Sequence, residues 1–566
     1  MKPKKFHNHK NGNKNGIRMQ IIERLFPNLE ITPEEVENKY PPRDLEASAK
    51  VTRVAPSPTG FMHIGGIFAA LLSERLAHQS GGVFFVRIED TDKKREVEGA
   101  AQLIIDSLSR FNIPVDEGET LTGEEKGNYG PCRQSKRENI YKTFARKLVQ
   151  EDRAYPCFCT VEELKEMTSQ QEKNKSKIGY YGDWAKCRDK SDEDVLKALD
   201  ERKPFVIRFK SSGSCKKRME FEDMIKGKLS MPENDNDIVI IKSDGLPTYH
   251  FAHVVDDHFM GTTDVVRGDE WLSSVPLHIE LFRSLGWKPP RYGHFPPIQK
   301  LEGHSKRKLS KRKDPEANVL FYDEEGYSSI AVTEYLLNLI DSDFENWRKQ
   351  NPQTDNRDFP IRLEHLAGSA GPLLDMVKLQ DINKDYISKL SAEEVLEQCT
   401  TWAEKYDEDL FRKLKENPDY SKRIFSIERG GELPPRKDIA KWSDVRHQIE
   451  YFFDDIFKAA DIDFKKLLPG MTKVEIKRVA EKFLSIYDEQ DDKTTWFSKV
   501  KDAAKSLGYA DSAKAFKKEK DKYKGHVGDV AMVARVLLTG RTQAPELFEV
   551  IHCMGADRVR KRLKNI

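Results

Sequence analysis

A histidine followed by two glycines, placed where a proline-rich turn becomes a helix, is the arrangement in this chain best suited to hold a phosphate. It lies in VTRVAPSPTGFMHIGG (51–66), and an apolar pattern of helical spacing starts directly behind it. A loop that opens a helix offers unpaired N–H groups and the positive end of the helix dipole, which suits an anion. His63 could donate to a phosphate oxygen there, or it could merely cap the helix. A second segment, SDGLPTYHFAHVVDDHFMGTTDVVRGDEW (243–271), ends in Arg267, Asp269, Glu270 and Trp271 after the strand-like pair Val265-Val266. It reads as a pocket wall or as an ion-paired loop. A third, HSKRKLSKRK (304–313), has six basic residues in ten and by itself reads as a solvated loop or a nuclear-targeting-like patch.

The elements around these residues are legible from periodicity. VTRVAP is a short β-branched run ended by proline, a helical pattern follows from Ile67, and VFFVRIED (83–90) is nearly continuous in apolar residues, as a strand covered on both faces would be. A further helix is predicted at AAQLIIDSLSRFNI. This β-α-β-α order implies a parallel sheet with right-handed crossovers, whose ligands bind beyond the carboxyl ends of the strands. Arg53, His63, Glu89 and Asp90 all fall at that edge. Beyond residue 320 the apolar spacing turns helical, at SIAVTEYLLNLI, AEEVLEQCTTWAEKY, KVEIKRVAEKFLSIY and DVAMVARVLL, and predicts helix bundles.

Composition bounds the class. With 566 residues, 38% hydrophobic and 34% charged, the chain can build three or four domains. Its 96 basic and 94 acidic residues leave a net charge of +2, so a polyanion partner must be met by local patches such as the lysines of 496–524 with Tyr523. No apolar run is long enough to span a bilayer, and the basic opening MKPKKFHNHKNGNKNG lacks signal- or transit-peptide character, so a cytoplasmic protein without membrane attachment is expected. Seven cysteines are too few and too scattered for a disulfide framework, leaving reduced thiols as the expectation.

Taken together, the motifs resemble the class I aminoacyl-tRNA synthetases, most closely the bacterial-type glutamate–tRNA ligases. HIGG and KLSKR stand where that class has its two signatures, and APSPTG, VRIEDTD, YGPCRQSKR, LPTYHFA and VVDDHFMGTTDVVRGDEW occur in family order, with LLTG…PELFEVI near the end of the sequence. The resemblance implies an enzyme that activates L-glutamate with ATP and Mg²⁺ to glutamyl-adenylate, releases pyrophosphate, and passes the acyl group to the terminal ribose of tRNA(Glu). By resemblance His63, Gly65 and Gly66 cradle the ATP phosphates, Glu270 and Trp271 lie near the adenosine, and Lys308, Leu309, Ser310 and Lys311 form the loop whose lysines clamp pyrophosphate. Arg53 and Arg267 are implied as carboxylate binders and Glu89 as the acid holding the α-ammonium, with Ala55, Ser57, Tyr249 and His253 in the same pocket. His253 departs from the asparagine of many relatives. Cys157, Cys159 and Cys187, completed by Tyr180 or Tyr181, with Tyr181 taken as the fourth ligand, are similar to a Zn²⁺ site of some relatives; buried free thiols are the alternative.

The implied fold class is an α/β Rossmann-like catalytic domain with an inserted α/β acceptor-binding domain, followed by all-helical anticodon-binding domains. The expected boundaries are an extension over 1–48 whose start is disordered, catalytic halves over 49–152 and 246–320, an insert over 153–245, a stem-contact domain over 321–390 and an anticodon-binding domain over 391–566. A monomer is expected. Two rival readings are an enzyme that also charges tRNA(Gln), and an inactive synthetase-like tRNA-binding protein; the intact His63, Glu89, Lys308 and Lys311 argue against the second.

Overall fold

The β-branched run VTRV forms strand β1 (Val51–Val54), buried at all four residues. In the computed structural model, which describes residues 9–366, 371–430, 435–458 and 462–564, the chain divides into two units: residues up to 321 with 333–375, and 322–332 with 376 onward.

In the first unit, β1 is followed by helix α1 (Ile64–His78) and by β2 (Val83–Val86), which pairs parallel to β1 from Val51↔Val83 to Val54↔Val86. The turn between α1 and β2 needs Gly82, because a Cβ there would stand 1.9 Å from the Lys50 carbonyl oxygen. Helix α2 (Tyr249–Phe259) leads into β3 (Asp264–Gly268), which runs parallel to β4 (Arg291–Phe295). Thr263, one residue before β3, donates its N–H to the Val51 carbonyl at 2.9 Å, so β3 starts beside β1. The parallel arrangement expected from the β-α-β-α pattern is therefore present, and Arg53 and Arg267 each sit next to the carboxyl end of a strand.

Within 153–245, strands Ala154–Cys157, Val206–Phe209 and Val239–Ile241 form an antiparallel sheet. The same stretch also holds an antiparallel hairpin, Arg218–Asp223 with Gly227–Pro232, and Asp223 pairs with Tyr292 of β4. A segment set apart in the sequence thus supplies two strands to the sheet that carries Arg267.

The basic opening of the chain is helical from His9 to Leu25, residues 1–8 lying outside those described. A second helix, Pro33–Lys39, starts with a capping box between Thr32 and Glu35. Ile21, Leu25, Phe26, Val36 and Tyr40 are buried in the core that contains Phe144, Phe251 and Phe259, so this part of the extension is an integral strap.

At the end of α1, the His78 imidazole lies between two carboxylates, 2.6 Å from Glu74 and 2.7 Å from Asp116. The hydrogen bond to Glu74, joined by that to Asp116, holds the imidazole above its ordinary pKa against the opposing effect of burial. A raised folded-state pKa gives stability that is fully present below about pH 6.5 and fades as pH rises through the higher value. His78→Gln is expected to destabilise the protein by about 1 kcal/mol at pH 6 and by clearly less at pH 9, read as melting temperature at the two pH values. Equal losses at both would remove the charge from the argument.

The second unit is helical, and no strand occurs among the described residues beyond Lys308. The predicted helices appear at Ala392–Tyr406, Lys473–Ile486 and Val527–Thr539, the first two opened by the capping boxes Ser391–Glu394 and Thr472–Glu475. Their apolar faces, with Val395, Val479, Phe483 and Val533, form one core with Leu410 of helix Glu408–Glu416 and Ile424 of helix Pro418–Ser426.

Candidate active site

The carboxyl ends of β1, β2 and β3 border a cavity of about 720 Å³, within the ordinary range for a small-molecule site. At one end it is lined by Arg53, Ala55, Ser57, Glu89, Tyr249 and Arg267. At the other it is lined by His63, Gly65 and Gly66, by Glu270, and by Lys308, Leu309 and Lys311, with Trp271 between the two, its ring centroid 4.4 Å from that of Tyr249. The segments singled out in the sequence converge there from positions up to about 250 residues apart.

His63 is the N-cap of α1, and its Nδ1 accepts the Gly65 N–H at 2.9 Å. The two readings of this residue are therefore compatible: capping occupies Nδ1 and leaves Nε2–H as a donor. Burial, reinforced by the positive charge of Lys311, pushes the imidazole pKa below its ordinary value, so the ring is neutral at pH 7. A Cβ on Gly65 would press against the His63 ring at 3.0 Å, whereas one on Gly66 would meet only the flexible Met62 side chain.

The basic segment is an antiparallel hairpin, Gln299–Glu302 with Ser305–Lys308, followed by a turn. Arg307 is tied to Asp314 and Glu302, and Asp314 also accepts the Ser310 N–H at 2.9 Å. The turn therefore leaves the ammonium groups of Lys308 and Lys311 directed elsewhere. Lys308 lies 3.5 Å from Glu270, and Lys311 donates to the Phe61 carbonyl at 2.7 Å, beside the start of α1. Ser310 does not line the cavity.

The other end is governed by buried charge. Arg87, fully buried, contacts Glu89 at 3.1 Å and Asp257 at 2.7 Å. Arg53 reaches Asp257 at 3.3 and 3.4 Å, and Arg137 reaches Asp256 at 2.6 Å. Three guanidinium groups thus face three carboxylates. Burial lifts the Glu89 pKa above its ordinary value although Arg87 and Arg53 pull it down, and a cationic ligand group would stabilise its carboxylate further. Arg267 is different. It is buried, and its hydrogen-bond partners are neutral: His294, His278, the Tyr249 hydroxyl and the Trp271 carbonyl. A buried guanidinium without a carboxylate is costly in a free protein and is relieved by an anion from outside.

His253 is placed otherwise than the sequence reading supposed. It is fully buried, is not part of the cavity wall, and stands behind Arg53, with Nδ1 3.1 Å from the guanidinium and Nε2 3.2 Å from the Tyr292 hydroxyl. Burial, then the charge of Arg53, drives its pKa well down, so its imidazole is a neutral prop. Sequence reasoning missed Arg87, Asp223, Asp256, Asp257, His278 and His294. For two of these a signal existed, since adjacent acids inside the apolar VVDD stretch of a helix demand buried cations.

Away from the cavity, the thiols of Cys157, Cys159 and Cys187 gather with ligand atoms within 4.8 Å of one another. The Tyr180 hydroxyl lies 3.5 Å from the Cys157 sulfur and 3.3 Å from that of Cys159. Tyr181 does not join them, because its hydroxyl donates to the Lys177 carbonyl at 2.7 Å. Of these two consecutive residues, only Tyr180 faces the thiols.

A parallel α/β core with a capping histidine facing two lysines of a hairpin loop is the architecture of a class I synthetase, and residues 50–346 match the family described as tRNA synthetases class I (E and Q), catalytic domain. Residues 435–566 match the family described as Anticodon binding domain. Glutamate–tRNA ligase of Clostridium perfringens (strain SM101 / Type A) is 48% identical over 95% of this chain and 98% of its own length, and that of Acetivibrio thermocellus is 46% identical over 97% and 99%. A crystal structure of a glutamate tRNA ligase from Elizabethkingia meningosepticum in complex with its amino acid superposes with a TM-score of 0.71 at 27% identity, covering 91% of this chain and 98% of that one. The chain belongs to the glutamate–tRNA ligase family.

Proposed function

We infer that this chain activates L-glutamate with ATP and transfers it to tRNA(Glu) for translation, as the names of its relatives indicate for them. The observation that carries the substrate assignment is the Arg267 guanidinium. Arg53, Arg87 and Arg137 each contact a carboxylate, whereas Arg267 lines the cavity with neutral hydrogen-bond partners only and is open to a ligand carboxylate. Glutamate has a side-chain carboxylate at neutral pH, and glutamine has a neutral amide there.

On this reading Arg267 holds the side-chain carboxylate, with the Tyr249 hydroxyl beside it. Arg53, with Ser57 and the Ala55 backbone, orients the α-carboxylate, and Glu89 holds the α-ammonium. One α-carboxylate oxygen attacks the α-phosphorus of ATP; the bond from that phosphorus to the bridging oxygen breaks, and pyrophosphate leaves with the electron pair. ATP enters as its magnesium complex, which lowers the charge the protein must offset. His63 Nε2–H donates to a phosphate oxygen at the start of α1, where Gly65 and Gly66 leave room for the anion along the cavity wall. Lys308 and Lys311 neutralise the departing pyrophosphate, and Ser310 holds the turn through its N–H. Glu270 and Trp271 flank the adenosine. A ribose hydroxyl of the tRNA end then attacks the activated carbonyl and releases AMP.

The finer layout follows the same reading: a Rossmann-like catalytic fold over 49–152 and 246–320, an acceptor-binding insert over 153–245, a stem-contact region over 321–390 and anticodon recognition over 391–566, in a cytoplasmic monomer. No helix among the described residues is long and apolar enough to cross a membrane. ATP–pyrophosphate exchange with glutamate and with glutamine, with and without tRNA(Glu), tests the activity. Exchange with glutamate alone of the two amino acids is expected; no exchange with either would overturn the enzyme reading, and preference for glutamine would overturn the specificity.

Three thiolates and the Tyr180 phenol form a donor set that fits tetrahedral Zn²⁺, which would tie the end of strand Ala154–Cys157 to the loop carrying Cys187. Elemental analysis is expected to find one zinc per chain, lost in Cys159→Ser and retained in Tyr181→Phe. Zinc-free wild-type protein would leave the cluster as buried thiols.

A further inference from the structure

Arg267 Nε bears a single hydrogen, and it points at His294 Nε2, 3.0 Å away. That nitrogen must therefore be the bare one of the ring, and the imidazole proton sits on Nδ1, which meets Asp223 Oδ2 at 2.5 Å. The other oxygen of Asp223 is filled by backbone donors: the N–H groups of Ile225 and Lys226 at 2.9 Å each and of His294 at 3.1 Å. Against the upward pull of burial, the bonds from His294 and from those two amides hold Asp223 below the ordinary carboxylate range. Both Asp223 and His294 are buried and neither lines the cavity. Asp223 ends the hairpin strand that the inserted stretch contributes beside β4, and His294 lies on β4 itself.

We propose that Asp223 and His294 are positioning residues for substrate selection: Asp223 fixes the His294 tautomer, and the bare Nε2 of His294 aims the Arg267 guanidinium at the side-chain carboxylate of the amino acid. The proposal rests on the glutamate reading of the cavity and deepens it. A carboxylate in Asp223's place can only accept, so it demands Nδ1–H. With His294 so set, Arg267 spends Nε on a neutral acceptor, and its terminal nitrogens, each with two hydrogens, make only long contacts of 3.3 to 3.5 Å with neutral groups that a ligand carboxylate can better. The same logic repeats on the other side, where His278 Nδ1 lies 3.4 and 3.5 Å from those nitrogens and His278 Nε2 lies 3.0 Å from His250 Nδ1. Both groups in contact with the guanidinium are neutral imidazoles, so no carboxylate of the protein pairs with it directly.

Chemistry distinguishes positioning from mere packing through three variants. In His294→Gln the amide oxygen can accept from Arg267 and its NH₂ can donate to Asp223, which keeps both bonds. His294→Leu has the bulk without either bond. In Asp223→Asn the oxygen must stay with the three backbone donors, so an N–H faces His294 Nδ1 and imposes the tautomer with Nε2–H directed against the Arg267 N–H. In ATP–pyrophosphate exchange with tRNA(Glu) present, His294→Leu and Asp223→Asn are expected to raise the glutamate KM about tenfold or more and to narrow the glutamate-to-glutamine preference, with the ATP KM unchanged and His294→Gln within about threefold of wild type. Glutamate KM values within about threefold of wild type in all three variants would overturn the proposal, as would a parallel rise of both KM values with a lowered melting temperature in all three. Wild type inactive with glutamate would overturn the ligase reading and this one together; an active wild type with indifferent variants would overturn this one alone.

Discussion

Lys311→Ala is expected to slow adenylate formation by about 10²–10³-fold while the glutamate KM changes less than about threefold, the size of effect seen when one preorganised charge donor is removed from a developing anion. The ammonium is already held at the start of α1, 2.7 Å from the Phe61 carbonyl. A neutral carbonyl is a weak partner for it, so most of its stabilising power is realised only when charge builds on the leaving pyrophosphate. Lys308 has Glu270 3.5 Å away in the free protein, so its attraction for phosphate is partly offset and Lys308→Ala should cost less than Lys311→Ala. Steady-state exchange at varied glutamate and ATP checks the split. Equal losses in kcat and in glutamate binding would contradict the clamp.

Arg267→Ala should lower kcat/KM for glutamate by about 10³-fold, roughly 4 kcal/mol, because it strips a desolvated bidentate partner from a carboxylate. Glutamine should lose far less, so the preference between the two should collapse. The same substitution is expected to leave the melting temperature unchanged or raised, since a buried guanidinium held only by neutral partners costs stability in the free protein. Arg87→Ala is the contrast. It leaves Glu89 and Asp257 facing an emptied interior and should destabilise by about 3–5 kcal/mol. Thermal melting beside exchange kinetics separates the two arginines; a destabilised Arg267→Ala with unaltered preference would show that its role is structural.

Local chemistry made much of this legible in advance. The parallel order, the helix start at HIGG, and the helices of the second unit follow from periodicity, capping residues and turn residues, which act over a few positions and survive any context. Family motifs identified the cavity wall, and all but two of the substrate-pocket and phosphate-end residues they indicated do line it. The exceptions are instructive. His253 lies one helical turn beyond Tyr249, which faces the cavity, yet points behind Arg53, and Ser310 serves its turn through the backbone. Tyr180 and Tyr181 could not be separated by spacing, because which face of an extended stretch meets the thiols depends on what packs against it.

The amino-acid sequence by itself determined the elements, the loop that opens α1 and the basic segment 304–313, since each is a short-range consequence of residue type and order. Tertiary structure alone decided the charge balance. Arg87 meets Asp257 across 170 residues, His294 meets Asp223 across 71, and Arg267 meets neutral partners in the cavity wall. Pairing of buried charge depends on distances that chain separation does not encode, and on the proposed glutamate reading it is what leaves Arg267 free to select a second carboxylate.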